Sequence, residues 1–368
     1  MNRIDRIEVS AYTVPTDSLE ADGTYKWDKT TIIIVEPVSG DVRGLGYSYA
    51  DVATAKLIDE TLAAQIAGRD AMSVAECHVE MLRSIRNLGR PGICSMAMAA
   101  MDNALWDLKA RLLNLPLVTL LGAARRSIPA YGSGGFTSYS DEQLARQLGG
   151  WASAGIKAVK MKVGSQPERD VDRVRAARKA IGDRVELFVD ANGAYSRQQA
   201  LRKAYEFAEC NVTWFEEPVS SDDLDGLRMM RDRAPAGMRI AAGEYGYDER
   251  YFRRMIEAGA VDVLQADATR CAGATGFLNA DAICEAFCMP LSAHTAPTLH
   301  AHLCCAAPRA INVEYFHDHA RIEQMLFEGA IRAVDGDLRP DLSRLGLGLK
   351  LKKADAERYR VYGNHADS

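Results

Sequence analysis

Asp190, Glu216 and Glu244 each close a short apolar run, in LFVD, WFE and AAGE, one run after another along the chain. Brought together, three unpaired carboxylates repel and resist ionisation, so a hard divalent cation is their natural neutraliser. Mg²⁺ suits an all-oxygen set and leaves positions open for water or a substrate. Glu217 adjoins Glu216 in WFEEP. Neighbours in a strand face opposite ways, so only one should point inward, and Glu216 is the expected ligand. Lys160 and Lys162, in IKAVKMKV, lie two apart and share one face of a strand whose other face is apolar. A lysine is a useful base only below its ordinary pKa of about 10.4, which a second ammonium and a metal would both promote. His294 stands in PLSAHT, and Asp267 in LQAD ends the preceding run. On neighbouring strands the carboxylate would accept a hydrogen bond from one ring nitrogen, fix the tautomer and raise the basicity of the other nitrogen. Glu314 ends INVE.

Taken singly, each residue has a plainer explanation as a cap, a salt-bridge partner or a polar-network member. Their order favours chemistry. A buried strand should not end in charge unless the charge is used, and here nearly every run does. His300 and His302 follow on a helix-like stretch and read as packing or network residues. A zinc site from Cys284, Cys288 and His294 lacks a matching second pair and is not expected.

The elements that must position these residues are short strands at Ile128–Tyr131, Ile156–Val163, Val185–Val189, Val212–Phe215, Met238–Ala242, Val261–Gln265, Met289–Leu291 and Ile311–Val313. Amphipathic stretches such as Glu168–Ile181, Gln198–Glu209 and Glu249–Glu257 separate most of them. Strands alternating with helices indicate a parallel α/β sheet, and eight strands favour a TIM-type barrel, whose catalytic residues gather at the C-terminal strand ends. No GxGxxG or GxxxxGK[ST] follows a strand, which disfavours a dinucleotide fold and a P-loop. Ahead of the barrel, strand-like runs at Ile4–Val14, Thr30–Pro37 and Gly44–Ala50 precede a helical stretch from Ser95 to Leu113. The expected division is an α+β segment over 1–127, a barrel over 128–321, and a segment over 322–368 that returns to the first.

The 368 residues are 48% hydrophobic and 26% charged, which suits a chain with a sizeable core rather than disorder. The net charge of −5, without a basic block, argues against nucleic-acid binding. Ala286–Pro308 has no Asp, Glu, Lys or Arg, but its three prolines and three histidines read as buried core around a polar site, not a membrane span. There is no signal-peptide pattern at the N-terminus and no disulfide spacing among the eight cysteines, so a cytoplasmic location with reduced thiols is expected.

The pattern resembles the enolase superfamily, most closely its mandelate racemase-like branch. Ala97–Gly122 resembles the family's N-terminal helical signature, and KMK, DAN at 190–192, EEP at 216–218, GE at 243–244, ADATRCAG at 266–273 and PLSAH follow in family order. The resemblance covers nearly the whole chain. It implies a modified TIM barrel, (β/α)7β, with an α+β capping domain formed by the N-terminal segment and C-terminal tail. It further implies one Mg²⁺ per subunit at Asp190, Glu216 and Glu244, with Lys162 as base on one face of the substrate. His294, oriented by Asp267, is the implied acid/base on the other. Lys160 would neutralise a substrate carboxylate oxygen, Glu314, protonated, would donate to the enediolate, and Asn192 would touch the substrate. Cap loops around Leu19–Asp28 and Gly46–Ala53 would close over the mouth, with Trp27 as a substrate contact. The segment ADGTYKWDK is more polar and basic than apolar, which favours a sugar acid over an aromatic hydroxy acid. The expected reaction is dehydration of an aldonate or aldarate to a 2-keto-3-deoxy acid. The alternatives are racemisation or epimerisation of a 2-hydroxy acid, lactone or muconate cycloisomerisation, and a non-catalytic metal-binding barrel. The expected partners are a small carboxylate substrate and, as the family often forms homo-oligomers, further copies of the chain, with no nucleic acid or membrane.

Overall fold

A computed structural model describes residues 2–363. Met1 and residues 364–368, the ends of the first and last expected segments, lie outside the described residues. Eight parallel strands form a closed barrel: Ile128–Gly134, Ala158–Lys162, Glu186–Asp190, Val212–Glu216, Arg239–Ala242, Val263–Ala266, Leu291–Ala293 and Ala310–Phe316, the last pairing with the first. Seven helices alternate with them, from Asp141–Ser153 to Pro297–Ala306. Two of these helices start on reciprocal caps. Ser140 and Ser196 accept from the backbone N–H of Gln143 and Gln199, whose side chains reach back to the cap N–H. The helix Pro297–Ala306 is buried along its whole length, as its lack of charge requires.

Inside the barrel, Tyr131, Phe188, Trp214, Ala241 and Val263 form an apolar floor, with Phe188 stacked on Trp214 at 5.0 Å. Register then fixes the next layer. Lys160 pairs with Phe188 and Phe188 with Trp214, whereas two residues on Lys162 pairs with Asp190 and Asp190 with Glu216. The charged row therefore sits one inward-facing layer above the aromatic floor, at the C-terminal ends of the strands.

The cap is an antiparallel sheet of Arg6–Ala21, Lys26–Ser39, Val42–Arg43, Gly46–Tyr49 and Arg360–Gly363, backed by helices that include Val74–Ser84 and the 20-residue Ile93–Leu112. The C-terminal segment is shared. Arg360–Gly363 joins the cap sheet, but Asp337–Leu338 pairs with the first barrel strand, and Lys350–Leu351 pairs with Phe327–Glu328. The segment expected as a loop around Leu19–Asp28 is instead the end of a long hairpin. Its strands run to Ala21 and from Lys26, and its turn is held by Asp22 Oδ1, which accepts from the N–H groups of Thr24 and Tyr25. Gly46–Tyr49 is likewise a strand. All eight cysteines are free thiols, and no helix among the described residues is long and apolar enough to cross a membrane.

Candidate active site

A cavity of about 540 Å³ opens where the cap hairpin meets the barrel mouth. Lys162, Asn192, Glu244, His294 and Glu314 line it from the barrel, and Trp27, with Asp22, Thr24, Thr30 and Tyr49, from the cap. The hairpin tip can dock because Gly23 has no side chain: a Cβ there would lie 2.4 Å from the carbonyl oxygen of Ala191. Glycine serves again before Glu244, where Gly243 has φ +137° and a Cβ would meet the Gln265 carbonyl at 2.2 Å. A larger groove of about 980 Å³ lies beside the cap and C-terminal segment, and none of the ionisable strand ends lines it.

Asp190, Glu216 and Glu244 each bring a carboxylate oxygen within 4.8 Å of the other two, and all are buried. The set fits a divalent cation. Its donors are all oxygen, Glu244 Oε2 is buried without a hydrogen-bond partner, and beside it so are Glu217 Oε1 and Asn192 Oδ1. The surrounding charge points the same way. The carboxylates of Asp190, Glu216, Glu217, Glu244, Asp267 and Glu314 outnumber the cations of Lys160, Lys162 and Arg270. Burial, reinforced by Asp190, Glu314 and Glu244, raises the Glu216 pKa well above the carboxylate range despite Lys160. Glu217 is raised in the same way by burial, Glu244 and Asp190. These are groups short of a counter-charge.

Glu217 corrects the sequence expectation that only one of the pair faces inward. The strand ends at Glu216, and Glu217 turns into the left-handed region at φ +39°, so alternation stops there and both side chains are buried near the triad.

Lys162 Nζ donates to Asp190 Oδ2 at 2.5 Å; Lys160 Nζ contacts Glu216 Oε1 at 2.5 Å and Glu314 Oε1 at 2.8 Å. Burial, the largest single influence, would lower the Lys162 pKa, but Asp190, Glu244 and Glu314 together outweigh it and raise it. Among these side chains alone, the carboxylates therefore oppose the expected lowering. Lys160 is fully buried in its ion pairs and does not line the cavity, contrary to its expected contact with substrate.

Glu314 also departs from expectation. Burial favours its protonated form, but Lys160, His294 and Lys162 outweigh burial and hold it as a carboxylate. Ser133 Oγ donates to it at 2.5 Å and the Thr295 N–H at 3.2 Å. In this state it accepts rather than donates.

His294 and Asp267 meet as the spacing requires, because Ala266 pairs with Ala293 and the two residues that follow lie side by side. His294 Nδ1 is 2.8 Å from Asp267 Oδ2, and Nε2 faces Glu244 Oε2 at 3.4 Å and Glu314 Oε2 at 3.6 Å. Burial would raise Asp267, but the hydrogen bond and charge of His294 hold it below the usual carboxylate range. Asn192, at φ +46°, is anchored by its N–H to Asp190 Oδ1 at 2.9 Å. His300 is a network residue: it accepts from the Ala268 N–H and bonds the Thr295 carbonyl, tying the Asp267 and His294 turns together. His302 is buried, and burial lowers its pKa to about 4.

Two further residues at the site are not among the expected ones, although Arg270 lies within ADATRCAG. Arg270 contacts Glu244 Oε1 at 3.3 Å and Asp267 Oδ2 at 3.6 Å from the turn after the sixth strand. His319 stacks on Tyr49 in the cavity wall. Trp27 is held by its indole N–H, which donates to Glu20 Oε2 at 2.8 Å.

Comparison with known proteins agrees with this architecture. Residues 143–356 match the family described as enolase C-terminal domain-like, and residues 10–122 match the mandelate racemase/muconate lactonizing enzyme N-terminal domain. The chain is 31% identical over 365 residues to an L-talarate/galactarate dehydratase of Salmonella typhimurium, covering 96% of this chain and 90% of that one. A structure of that enzyme, liganded with Mg and L-lyxarohydroxamate, superposes with a TM-score of 0.89 at 30% identity, covering 98% and 93% of the two chains. A 3,6-anhydro-alpha-L-galactonate cycloisomerase of Streptomyces coelicolor is 30% identical, over 93% of this chain and 98% of its own. The crystal structure of a mandelate racemase/muconate lactonizing enzyme-like protein from Rubrobacter xylanophilus superposes with a TM-score of 0.96 at 54% identity, covering 98% of this chain and 100% of that one. The fold, the order of its ionisable strand ends and these matches make the chain a member of the enolase superfamily, in its mandelate racemase-like branch.

Proposed function

We propose that the protein is a Mg²⁺-dependent dehydratase of a sugar acid, an aldonate or aldarate, forming a 2-keto-3-deoxy acid and water. The observation that carries this reading is that Lys162 and His294, at the ends of the second and seventh barrel strands, border one cavity beside the clustered carboxylates of Asp190, Glu216 and Glu244. Asp190, Glu216 and Glu244 would hold the cation, which when bound supplies positive charge to a substrate carboxylate whose α-hydrogen is only weakly acidic. Neutralising the triad also removes the attraction that keeps Lys162 protonated, leaving its amine able to take the α-proton.

His294 acts from its Nε2, because the Nδ1 proton is engaged by Asp267. Protonated, it gives its proton to the β-hydroxyl as the C–O bond breaks, and water departs. The electron pair of the lost C–H bond becomes the new C–C double bond, and the resulting enol tautomerises to the ketone. Lys160 supplies fixed positive charge beneath the carboxylate site, and Asn192 offers its unpartnered amide oxygen to a substrate hydroxyl. Asp22, Thr24, Thr30, Thr31 and Asp51 add polar groups around the mouth, which suits a polyol chain. The dehydratase named among the relatives supports the same class.

Epimerisation is the second reading. It shares the first step and differs only if His294 returns a proton to the α-carbon, and bases on two separate strands permit it. The test is to incubate the Mg²⁺-loaded protein with aldonates and aldarates and assay 2-keto acid as its semicarbazone, with and without chelator. Chelator-sensitive keto acid from one stereochemical series supports dehydration. Inverted hydroxy acid without keto acid would assign epimerisation instead.

A further inference from the structure

A second group of metal-ligating side chains lies between the cap and the eighth barrel strand. Asp17 and Glu20 are on the cap strand Arg6–Ala21, and His317 begins the helix directly after Ala310–Phe316. Each brings one ligand atom within 4.8 Å of the other two. Asp17 Oδ2 and His317 Nε2 are 2.9 Å apart. Two neighbouring ligands on a tetrahedral cation with bonds of about 2.1 Å would sit about 3.4 Å apart, so this hydrogen-bonded pair would have to open by only about half an ångström to share an ion.

Glu20 separates this group from an ordinary surface Asp–His pair. It is fully buried, and among the described residues it makes no ion pair. One of its oxygens accepts the Trp27 indole N–H; the other, Oε1, is buried with no hydrogen-bond partner. A buried carboxylate oxygen left unpaired is costly, and a cation is what such a group lacks. The Asp17 side chain is about half exposed, at 48%, and gives an ion a route from solvent.

We propose that Asp17, Glu20 and His317 form a second cation site, which ties the cap hairpin to the end of the eighth barrel strand. One imidazole nitrogen with two carboxylates selects a borderline transition-metal dication such as Zn²⁺ over Mg²⁺, which prefers oxygen alone. The site is coupled to the cavity, because the same Glu20 carboxylate holds Trp27, whose ring packs edge-on against Phe136 at 5.6 Å. It is independent of the chemistry proposed for the barrel mouth.

The experiment is equilibrium dialysis of the full chain against Zn²⁺ in saturating Mg²⁺, with bound metal counted by mass spectrometry. The expected result is one Zn²⁺ per chain that Asp17→Asn and His317→Gln each weaken at least tenfold without lowering Mg²⁺ content. A double variant of the barrel triad, Asp190→Asn with Glu244→Gln, should retain that Zn²⁺, which separates the new site from displacement of Mg²⁺. With Co²⁺ in place of Zn²⁺, the visible absorption of an imidazole-ligated ion should vanish in His317→Gln. If His317→Gln does not fold, Asp17→Asn decides. A parent chain that takes up no Zn²⁺ beyond the triad, or variants that hold as much as the parent, would overturn the proposal.

Discussion

Replacing Asp267 by asparagine removes one buried negative charge and almost no volume. Oδ1 of Asp267 accepts the Thr269 N–H at 2.7 Å, so the asparagine carbonyl should keep that place and its NH₂ should face His294. His294 Nδ1, now 2.8 Å from Oδ2, must then accept, and the ring proton moves to Nε2. The neutral ring can no longer take up a proton at the atom that faces the cavity, and the protonated ring loses its buried counter-charge. With charge centres about 4 Å apart and an effective dielectric of about 20, that attraction is about 4 kcal/mol, or about 10³ in rate. Dehydration by the variant should therefore fall about 10³-fold in kcat, with KM within about threefold of the parent. Mg²⁺ affinity should hold, because Asp267 is outside the triad. Exchange of the substrate α-hydrogen through Lys162 should survive better than water loss. Steady-state kinetics, calorimetric Mg²⁺ titration and proton NMR in D₂O read these three quantities. A kcat within tenfold of the parent would refute the dyad, and so would parallel loss of exchange, dehydration and Mg²⁺ affinity.

Mg²⁺ affinity should rise with pH, because Glu216 and Glu217 have raised pKa values without metal, and any proton they hold must leave when the cation binds. Each displaced proton gives about tenfold per pH unit, and calorimetry in buffers of different ionisation enthalpy should find proton release; pH-independent affinity contradicts it. Gly23→Ala should push the hairpin tip off Ala191 and raise KM about tenfold or more while the melting temperature moves by only a few degrees; an unchanged KM would remove the hairpin from substrate closure. Glu323, buried between Tyr47 and Thr298, is raised by burial to about 7 from an ordinary 4.5. A raised carboxyl stabilises the fold below its unfolded pKa and loses that contribution as pH rises through about 7, a swing of up to about 3 kcal/mol. Denaturant unfolding from pH 4.5 to 8 should show this slope in the parent and not in Glu323→Gln.

The barrel and the site were legible because charge at the end of an apolar run is costly unless used, and seven of the eight runs end in an ionisable residue, in order. Strand register then converts order into geometry, as the Lys162, Asp190 and Glu216 row shows. What sequence reading missed has physical reasons. The hairpin from Thr13 to Lys29 is polar on both sides for much of its length, so no alternation marks its strands. Glu217 breaks the face rule because the strand stops beneath it, which only its positive φ reveals. Arg270 and His319 lie in a turn and at a helix start, where no period links them to the site. The charge states of Lys162 and Glu314 depend on the sum over the whole cluster, and a list of its members does not fix that sum.

The most direct test of the central reading is proton NMR of the Mg²⁺-loaded protein in D₂O with a library of aldonic, aldaric and simple 2-hydroxy acids. The account predicts that one sugar acid is converted to a 2-keto-3-deoxy acid carrying deuterium at C3, and that Lys162→Ala abolishes it. The reading would be contradicted if no acid in the library lost or exchanged its α-hydrogen, or if Lys162→Ala turned over at the parent rate.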